Sequence, residues 1–221
     1  LSLHDALPIS RGANGGMQDV DNLAWKLAAV INGDAPDALL DSYHTERKHA
    51  ALENIKNSSR SADFLTPRNP AHALFRDAVL DLVKDYEFAR PMVNSGRLSM
   101  PCTYEQSPLN SADDLPDGPS RTRPGSPCSD AALDKGFLLD HLTGNFTLLS
   151  INATVPDDAN GLKIVRLSTT GATDDPLASR YLGDNPSAVY LIRPDQHVAA
   201  RWAEYDADAV TAALHKATGK G

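Results

Sequence analysis

The chain has 221 residues, 41% hydrophobic and 23% charged, which predicts one large or two small folded domains and excludes a disordered chain. Its net charge of −8 argues against a nucleic-acid partner, because binding that backbone needs a concentrated basic face. Cys102 and Cys128 lack the paired spacing of a zinc site or a redox site, so we expect reduced thiols. No apolar run is long enough to span a bilayer. We therefore expect a cytoplasmic protein.

Three helices are predicted in the first half of the chain. Apolar residues recur at helical spacing over residues 19–32, and the glycine and proline of NGDAPDA end that pattern. A mostly polar helix follows from Leu39 to about Leu65. A third runs from about Pro70 to Phe88, with Pro70 placed where a first helical turn tolerates proline. We expect these three helices to be the edge of a larger domain rather than a complete domain.

The composition changes between Asn110 and Cys128. This stretch, NSADDLPDGPSRTRPGSPC, has no periodic apolar pattern and predicts an interdomain linker. Its acidic residues are predicted to be solvated charges; they are Asp113, Asp114 and Asp117.

Beyond the linker the pattern indicates a small α/β domain. Strands are predicted at residues 145–152, 162–168, 188–194 and 197–202, the last two forming a hairpin. A closing helix is expected after Asp206, which is a suitable N-cap residue. His44 and His49 are five residues apart on a predicted helix, so they face different sides and do not form a metal pair.

A glycine-rich stretch, RGANGGMQDVDNLAWKL, opens the first predicted helix. Its glycines allow close backbone approach, and free amides at a helix N-terminus suit a phosphate, a carboxylate or a ring carbonyl. A glycine-rich start of a helix is more often only a tight turn. The pattern by itself therefore leaves open whether this stretch binds a ligand or only turns the chain.

This stretch, together with the residues up to HTER at 44–47, closely resembles a motif of the class A flavoprotein monooxygenases. These are aromatic-ring hydroxylases related to p-hydroxybenzoate hydroxylase and the 3-(3-hydroxyphenyl)propionate hydroxylases. In that family a G-x-N turn precedes a helix reading D-x-x-N-L-x-W-K-L. The matching residues here are Gly12, Ala13 and Asn14 in the turn, and Asp19, Asn22, Leu23, Trp25, Lys26 and Leu27 in the helix.

The resemblance implies FAD as cofactor and NAD(P)H as co-substrate. The amides of Ala13 and Asn14 would face the pyrimidine edge of the flavin and stabilise negative charge there, with Arg11 and Gly12 lining the same turn. Asp19 is interpreted mainly as a structural cap of the helix. Trp25 and Lys26 are interpreted as packing and surface residues, and no residue of the chain is assigned a catalytic role.

The resemblance continues toward the C-terminus. SGRLSMPCTYEQSPLN (95–110) resembles the segment that leads out of the family's substrate domain, and YLIRPDQHVAARW (190–202) resembles the thioredoxin-like C-terminal domain of many such hydroxylases. That domain lacks the redox C-x-x-C, as does this sequence, so no disulfide chemistry is expected. Arg193, Asp195 and His197 are interpreted as turn and surface residues.

Other parts of the family pattern are missing from the chain. The N-terminal G-x-G-x-x-G, the middle D-G motif and the G-D dipeptide ahead of residue 11 are absent. The leader LSLHDALPIS does not align, and we interpret residues 1–10 as a non-native sequence, with a divergent natural start as the alternative. We therefore expect a C-terminal portion of a hydroxylase that is inactive when isolated.

The predicted fold class is α/β: a helical C-terminal remnant of an FAD-binding, Rossmann-like domain (11–109), a linker (110–128) and a thioredoxin-like α/β domain (129–221). The expected partners of the full-length enzyme are a small aromatic substrate and O2. No nucleic-acid or membrane partner is expected. A homodimer is a possible assembly of the enzyme. The alternative function is a non-catalytic thioredoxin-like interaction or oligomerisation module.

Overall fold

The computed structural model describes residues 3–93, 101–170 and 175–221, and of residues 3–12 it describes the backbone alone. The chain divides into two compact units. One unit comprises Leu1–Arg47 with Thr103–Gly221, and the other is Lys48–Cys102. In the described part of the chain, no helix combines the length and the apolar character needed to cross a bilayer.

The first unit begins with helix α1, Leu3–Ile31. Gly33, with φ of +80°, turns the chain after α1, and a 3-10 helix at Asp37–Leu40 leads into helix α2, Asp41–Leu65. The predicted ends of the first helix and of the second are confirmed. The start of α1 is not, because the helix runs back through the stretch predicted as a glycine-rich turn.

A four-stranded sheet forms the centre of this unit. Its strands are β1 (Thr147–Ile151), β2 (Lys163–Leu167), β3 (Ala188–Ile192) and β4 (Val198–Trp202). They lie in the order β2-β1-β3-β4, with β1 parallel to β2 and antiparallel to β3, and with β3 antiparallel to β4. The α/β class and the β3–β4 hairpin predicted from the sequence are therefore confirmed.

Both faces of the sheet are covered by apolar side chains. Successive residues of a strand point to opposite faces. Accordingly Leu149 and Tyr190 belong to one core cluster, and Leu148 and Leu191 belong to another. The second cluster is completed by helix α5, Ala207–Ala217, whose N-cap Asp206 accepts hydrogen bonds from the amides of residues 208 and 209 as predicted.

The segment Asn110–Cys128 has little regular structure, but it packs closely on the rest of the unit. It contributes buried Leu115 and Thr122. Asp113 accepts two hydrogen bonds of 2.6 Å from the guanidinium of Arg201, so its prediction as a simple solvated charge is wrong. Sequence pattern missed this pair because Arg201 lies 88 residues away. The domain boundaries at residues 110 and 128 stay a prediction.

The second unit is helical. Besides the continuation of α2 it contains α3 (Pro70–Asp85), a 3-10 helix (Glu87–Ala89) and α4 (Arg90–Val93). Asn69 caps α3 by accepting a hydrogen bond of 2.9 Å from the amide of residue 72, and proline occupies the first turn as predicted. Residues 95–100 of the segment that resembles the exit from a substrate domain lie outside the described residues.

Substitution of Gly125 tests how tightly the segment Asn110–Cys128 packs against Tyr104. Its φ is +88°, and a Cβ there would lie 2.5 Å from the carbonyl oxygen of Tyr104. At Gly144, with φ of +79°, a Cβ would meet no atom within 4 Å. We expect Gly144→Ala to lower the free energy of unfolding by about 1–2 kcal/mol, the cost of left-handed backbone. Gly125→Ala should cost at least about twice as much, because the clash adds to that strain.

Urea denaturation of the two variants measures this difference. Equal destabilisation by both alanines would show that the structure around Tyr104 relaxes freely and would contradict the prediction.

Candidate functional site

The predicted flavin-contacting turn is helical in this structure. Residues 11–14 lie within α1, and Ala13 and Asn14 are exposed. Inside an α-helix each amide donates to the carbonyl four residues earlier, so these amides are not available to a flavin carbonyl. In this conformation the stretch does not fit the cofactor. The side chain of Arg11 lies outside the described part of the chain, and the assignment of residues 11–14 to a flavin site stays a prediction.

The physical reason for the difference is helix propagation. A glycine in a helix interior costs only about 1 kcal/mol relative to alanine. Once a helix is nucleated, each further residue gains a hydrogen bond for a small entropy cost. The second half of α1, which buried Asn22 and Lys26 hold in place, supplies the nucleus, and the helix continues backward through Gly15 and Gly16.

The second half of α1 carries two buried polar residues of the motif. Asn22 is 2% exposed and Lys26 is fully buried. The Lys26 Nζ donates to Asn22 Oδ1 at 2.9 Å and to Glu46 Oε2 of α2 at 2.8 Å. Asn22 Nδ2 donates to the same Glu46 oxygen at 2.7 Å. The interpretation of Lys26 as a surface residue is therefore wrong, because a carboxylate on a neighbouring helix compensates its buried charge.

The β3–β4 turn meets α1 and α2 at the same carboxylate. The Arg193 guanidinium donates to both oxygens of Glu46, at 2.6 and 3.0 Å, and also binds Asp195. Ser107 Oγ donates to Glu46 Oε1 at 2.5 Å. Arg193 and Asp195 are 0% and 4% exposed and His197 is 9% exposed, so their interpretation as surface residues is wrong.

We name these six side chains the Glu46 cluster. Its members share burial and mutual hydrogen bonds; they are Asn22, Lys26, Glu46, Ser107, Arg193 and Asp195. Two carboxylates balance two cations, so the cluster has no net charge.

Both Glu46 and Asp195 are held ionised. Burial by itself would raise the pKa of Glu46, but Arg193 and then Lys26 outweigh it and lower that pKa from 4.5 to about 2. Burial likewise opposes ionisation of Asp195, whose pKa Arg193 and His197 hold well below its usual range. Burial lowers the pKa of Lys26 from 10.5 to about 8, against the attraction of Glu46. All these groups are therefore charged at neutral pH.

Aromatic rings surround the guanidinium of Arg193. It lies 5.4 Å from the centroid of the Trp25 ring and 5.9 Å from that of Tyr104. Trp25 packs edge-on against Phe146, in accordance with the packing role predicted for it, and Tyr104 stacks on His197 with centroids 4.6 Å apart. These contacts shield the cluster from water and raise the strength of its ion pairs.

A second ion pair flanks the cluster. Arg47 donates to Asp19 Oδ1 at 2.5 Å and to the hydroxyl of Tyr104 at 2.8 Å. The sequence predicts Asp19 as a helix cap, but it lies well inside α1 and instead forms an ion pair with Arg47 of α2. Its role is structural, although of a different kind from the one predicted.

The Glu46 cluster is built to hold elements together rather than to react. Every charged member is paired, and each is almost inaccessible to solvent. A reacting group needs contact with a substrate, which these side chains cannot make without unfolding their surroundings. The described cluster thus fixes α1, α2 and the β3–β4 turn relative to one another.

Comparison with known proteins shows which proteins this chain resembles. Residues 4–58 match the family model described as FAD binding domain. A 3-(3-hydroxy-phenyl)propionate/3-hydroxycinnamic acid hydroxylase of Mycolicibacterium gilvum is 28% identical over 241 aligned positions, which cover 95% of this chain and 42% of that protein. The Mycolicibacterium vanbaalenii protein of the same name is 33% identical over 61% of this chain and 24% of its own length.

The chain is also similar in structure to flavin-dependent monooxygenases. Among solved structures, the flavin-dependent monooxygenase PieE, in complex with FAD and substrate, has a TM-score of 0.65 at 24% identity and matches 96% of this chain and 45% of PieE. RebC-10x with bound 7-carboxy-K252c has a TM-score of 0.66 at 24% identity and matches 96% of this chain and 42% of that chain. At that identity the likeness shows the shared fold. The chain spans less than half the length of the relatives described here.

Sequence reasoning assigns no role to Glu46 or Ser107, although both lie in stretches that carry the family resemblance. One signal was available for the cluster: Asn22 and Lys26 are four residues apart and therefore share a helix face with apolar neighbours. Their partner on α2 could not be deduced from that spacing.

Replacing Glu46 with glutamine tests the cluster. The variant leaves two buried cations facing one carboxylate, so we expect the free energy of unfolding at pH 7 to fall by about 3–5 kcal/mol. The Glu46 contribution is complete above the ordinary pKa of 4.5 and is lost as the pH falls toward about 2. The difference between the wild type and Glu46→Gln should therefore shrink over that interval.

Glu105→Gln is the matched control, because Glu105 pairs with Arg123 at the exposed surface. It should cost less than about 1 kcal/mol. Equal effects of the two substitutions, or a difference that does not change between pH 5 and pH 2, would refute the account given for Glu46.

Proposed function

We propose that this chain serves as the C-terminal portion of an FAD-dependent, NAD(P)H-using monooxygenase that hydroxylates a phenolic ring. The observation that carries the proposal is the coincidence of the FAD-binding match over residues 4–58 with the D-x-x-N-L-x-W-K-L helix of α1. Relatives named as hydroxylases of 3-(3-hydroxy-phenyl)propionate support an aromatic substrate.

In this proposal the α/β part of the chain positions the helix that approaches the cofactor. The Glu46 cluster fixes α1 through Asn22 and Lys26, which leaves the residues before Gly15 without a tertiary hydrogen bond among those described. Flavin contact by residues 11–14 requires these first turns to open, so that α1 begins near Gly15. The freed amides would then stabilise negative charge on the flavin ring.

The whole protein is the unit of activity in this proposal. FAD, when bound, supplies the oxygen-transfer chemistry, and NAD(P)H, O2 and the aromatic substrate are its partners. We expect the 221-residue chain by itself neither to retain FAD nor to oxidise NAD(P)H. Stoichiometric FAD after gel filtration of this chain would contradict that expectation.

The test uses the whole protein, expressed from its complete reading frame. We expect it to purify yellow and to consume NAD(P)H and O2 faster when 3-(3-hydroxyphenyl)propionate or another phenol is added. A colourless whole protein that merely self-associates would overturn the proposal and would support a non-catalytic interaction module.

Gly12→Ala in the same protein tests the flavin contact. Alanine favours the helical form of residues 11–14 by about 1 kcal/mol, which predicts a loss of FAD affinity of about fivefold. Gly16→Ala is the control, because residue 16 is helical in both forms and its Cβ would meet no atom within 4 Å. Fluorescence titration of the apoprotein with FAD measures both affinities. Unchanged affinity in Gly12→Ala would exclude the proposed opening.

A further inference from the structure

The second compact unit holds three potential metal ligands of different chemical type. His49 and Glu53 lie on α2 four residues apart, which places them on one face of the helix. Cys102 lies next to them, and its Sγ donates to Glu53 Oε2 at 2.6 Å. One ligand atom from each of the three residues lies within 4.8 Å of the other two.

This geometry is close to that of a coordination site. With the usual Zn–S, Zn–N and Zn–O bond lengths, tetrahedral coordination places neighbouring donor atoms roughly 3.4–3.6 Å apart. The hydrogen-bonded Sγ–Oε2 pair, at 2.6 Å, would have to open by about 1 Å, and a pair at the 4.8 Å limit would have to close by about as much. Rotation of the exposed His49 imidazole and of the half-buried Glu53 carboxylate can supply both movements. The thiol is buried, so it provides a fixed point toward which the two helix residues can turn.

The donor set also selects the metal. A thiolate, an imidazole and a carboxylate together suit a borderline divalent cation, whereas Mg²⁺ and Ca²⁺ prefer oxygen ligands. Three protein ligands leave a fourth position for water. We propose that His49, Glu53 and Cys102 form a zinc site in the helical unit, independent of the proposed flavin function.

Binding requires the Cys102 thiol to lose its proton. In this structure the thiol donates that proton in a hydrogen bond to Glu53. When Zn²⁺ binds, the Zn–S bond replaces the S–H bond, the proton passes to the buffer, and the carboxylate turns from hydrogen-bond acceptor to metal ligand. The affinity should therefore rise with pH, because fewer protons then compete for the same ligand atoms.

The experiment is a Co²⁺ titration of the full 221-residue chain after removal of metals by a chelator. One equivalent of Co²⁺ should produce a thiolate-to-cobalt charge-transfer band in the near ultraviolet and the intense visible bands of four-coordinate cobalt. Zn²⁺ should displace the cobalt and abolish both. Calorimetry in two buffers of different ionisation enthalpy should register the released proton.

Variants assign the ligands. Cys102→Ser should abolish the charge-transfer band, and His49→Gln and Glu53→Gln should each weaken Co²⁺ binding by at least about tenfold. Cys128→Ser and His44→Gln are the controls; Cys128 is the other cysteine, and His44 is another exposed histidine of α2. Both should bind Co²⁺ like the unmodified chain.

The proposal is overturned if no charge-transfer band forms at one equivalent, or if the band persists in Cys102→Ser. Should Cys102→Ser lose helical circular dichroism, the two α2 variants decide the question, since both replace side chains that are not fully buried. Unchanged affinity in both would then exclude the site.

Discussion

The rest of the first unit depends on a single carboxylate, that of Glu46. Burying it costs free energy, and four side chains that donate hydrogen bonds to it offset that cost: Asn22, Lys26, Ser107 and Arg193. Neither α1 nor the β3–β4 turn can shift without leaving a buried charge unpaired. An ion pair of this kind adds little net stability relative to an apolar contact, but it is strongly selective for one geometry.

That selectivity explains why the chain uses charge where apolar packing would also bury surface. An apolar stripe holds a helix but allows it to rotate or slide by small amounts. The two-pronged contact of Arg193 with Glu46 fixes both distance and direction, and the rings of Trp25 and Tyr104 on the guanidinium hold its plane. The outcome is a defined orientation of α1, the helix that matches the FAD-binding family model.

Local sequence pattern is sufficient to predict the helices and strands, but it is insufficient to predict the Glu46 cluster. Alternation and turn residues predicted the four strands and the hairpin, and Asp206 and Pro70 marked helix starts correctly, because these signals act within a few residues. Arg193 and Asp195 look like turn residues from sequence because their partner Glu46 is 147 residues from Arg193. The predicted glycine turn is helical for a different reason: the helix-breaking effect of Gly12 is weak, and the half of α1 that Asn22 and Lys26 hold in place decides the local conformation.

The same arrangement holds α1 from Gly15 onward by tertiary hydrogen bonds, whereas Ala13 and Asn14 make none among the described contacts. Hydrogen bonds from Arg47 to the Gly15 carbonyl and to Asp19 are the tertiary hydrogen bonds nearest to the start of the described side chains. Opening the turns before Gly15 would break helical hydrogen bonds but would leave those of Asn22 and Lys26 intact. In the proposed function, a cofactor that binds the freed amides would have to offset only the local helix energy, and the Glu46 cluster would keep the new helix start in place.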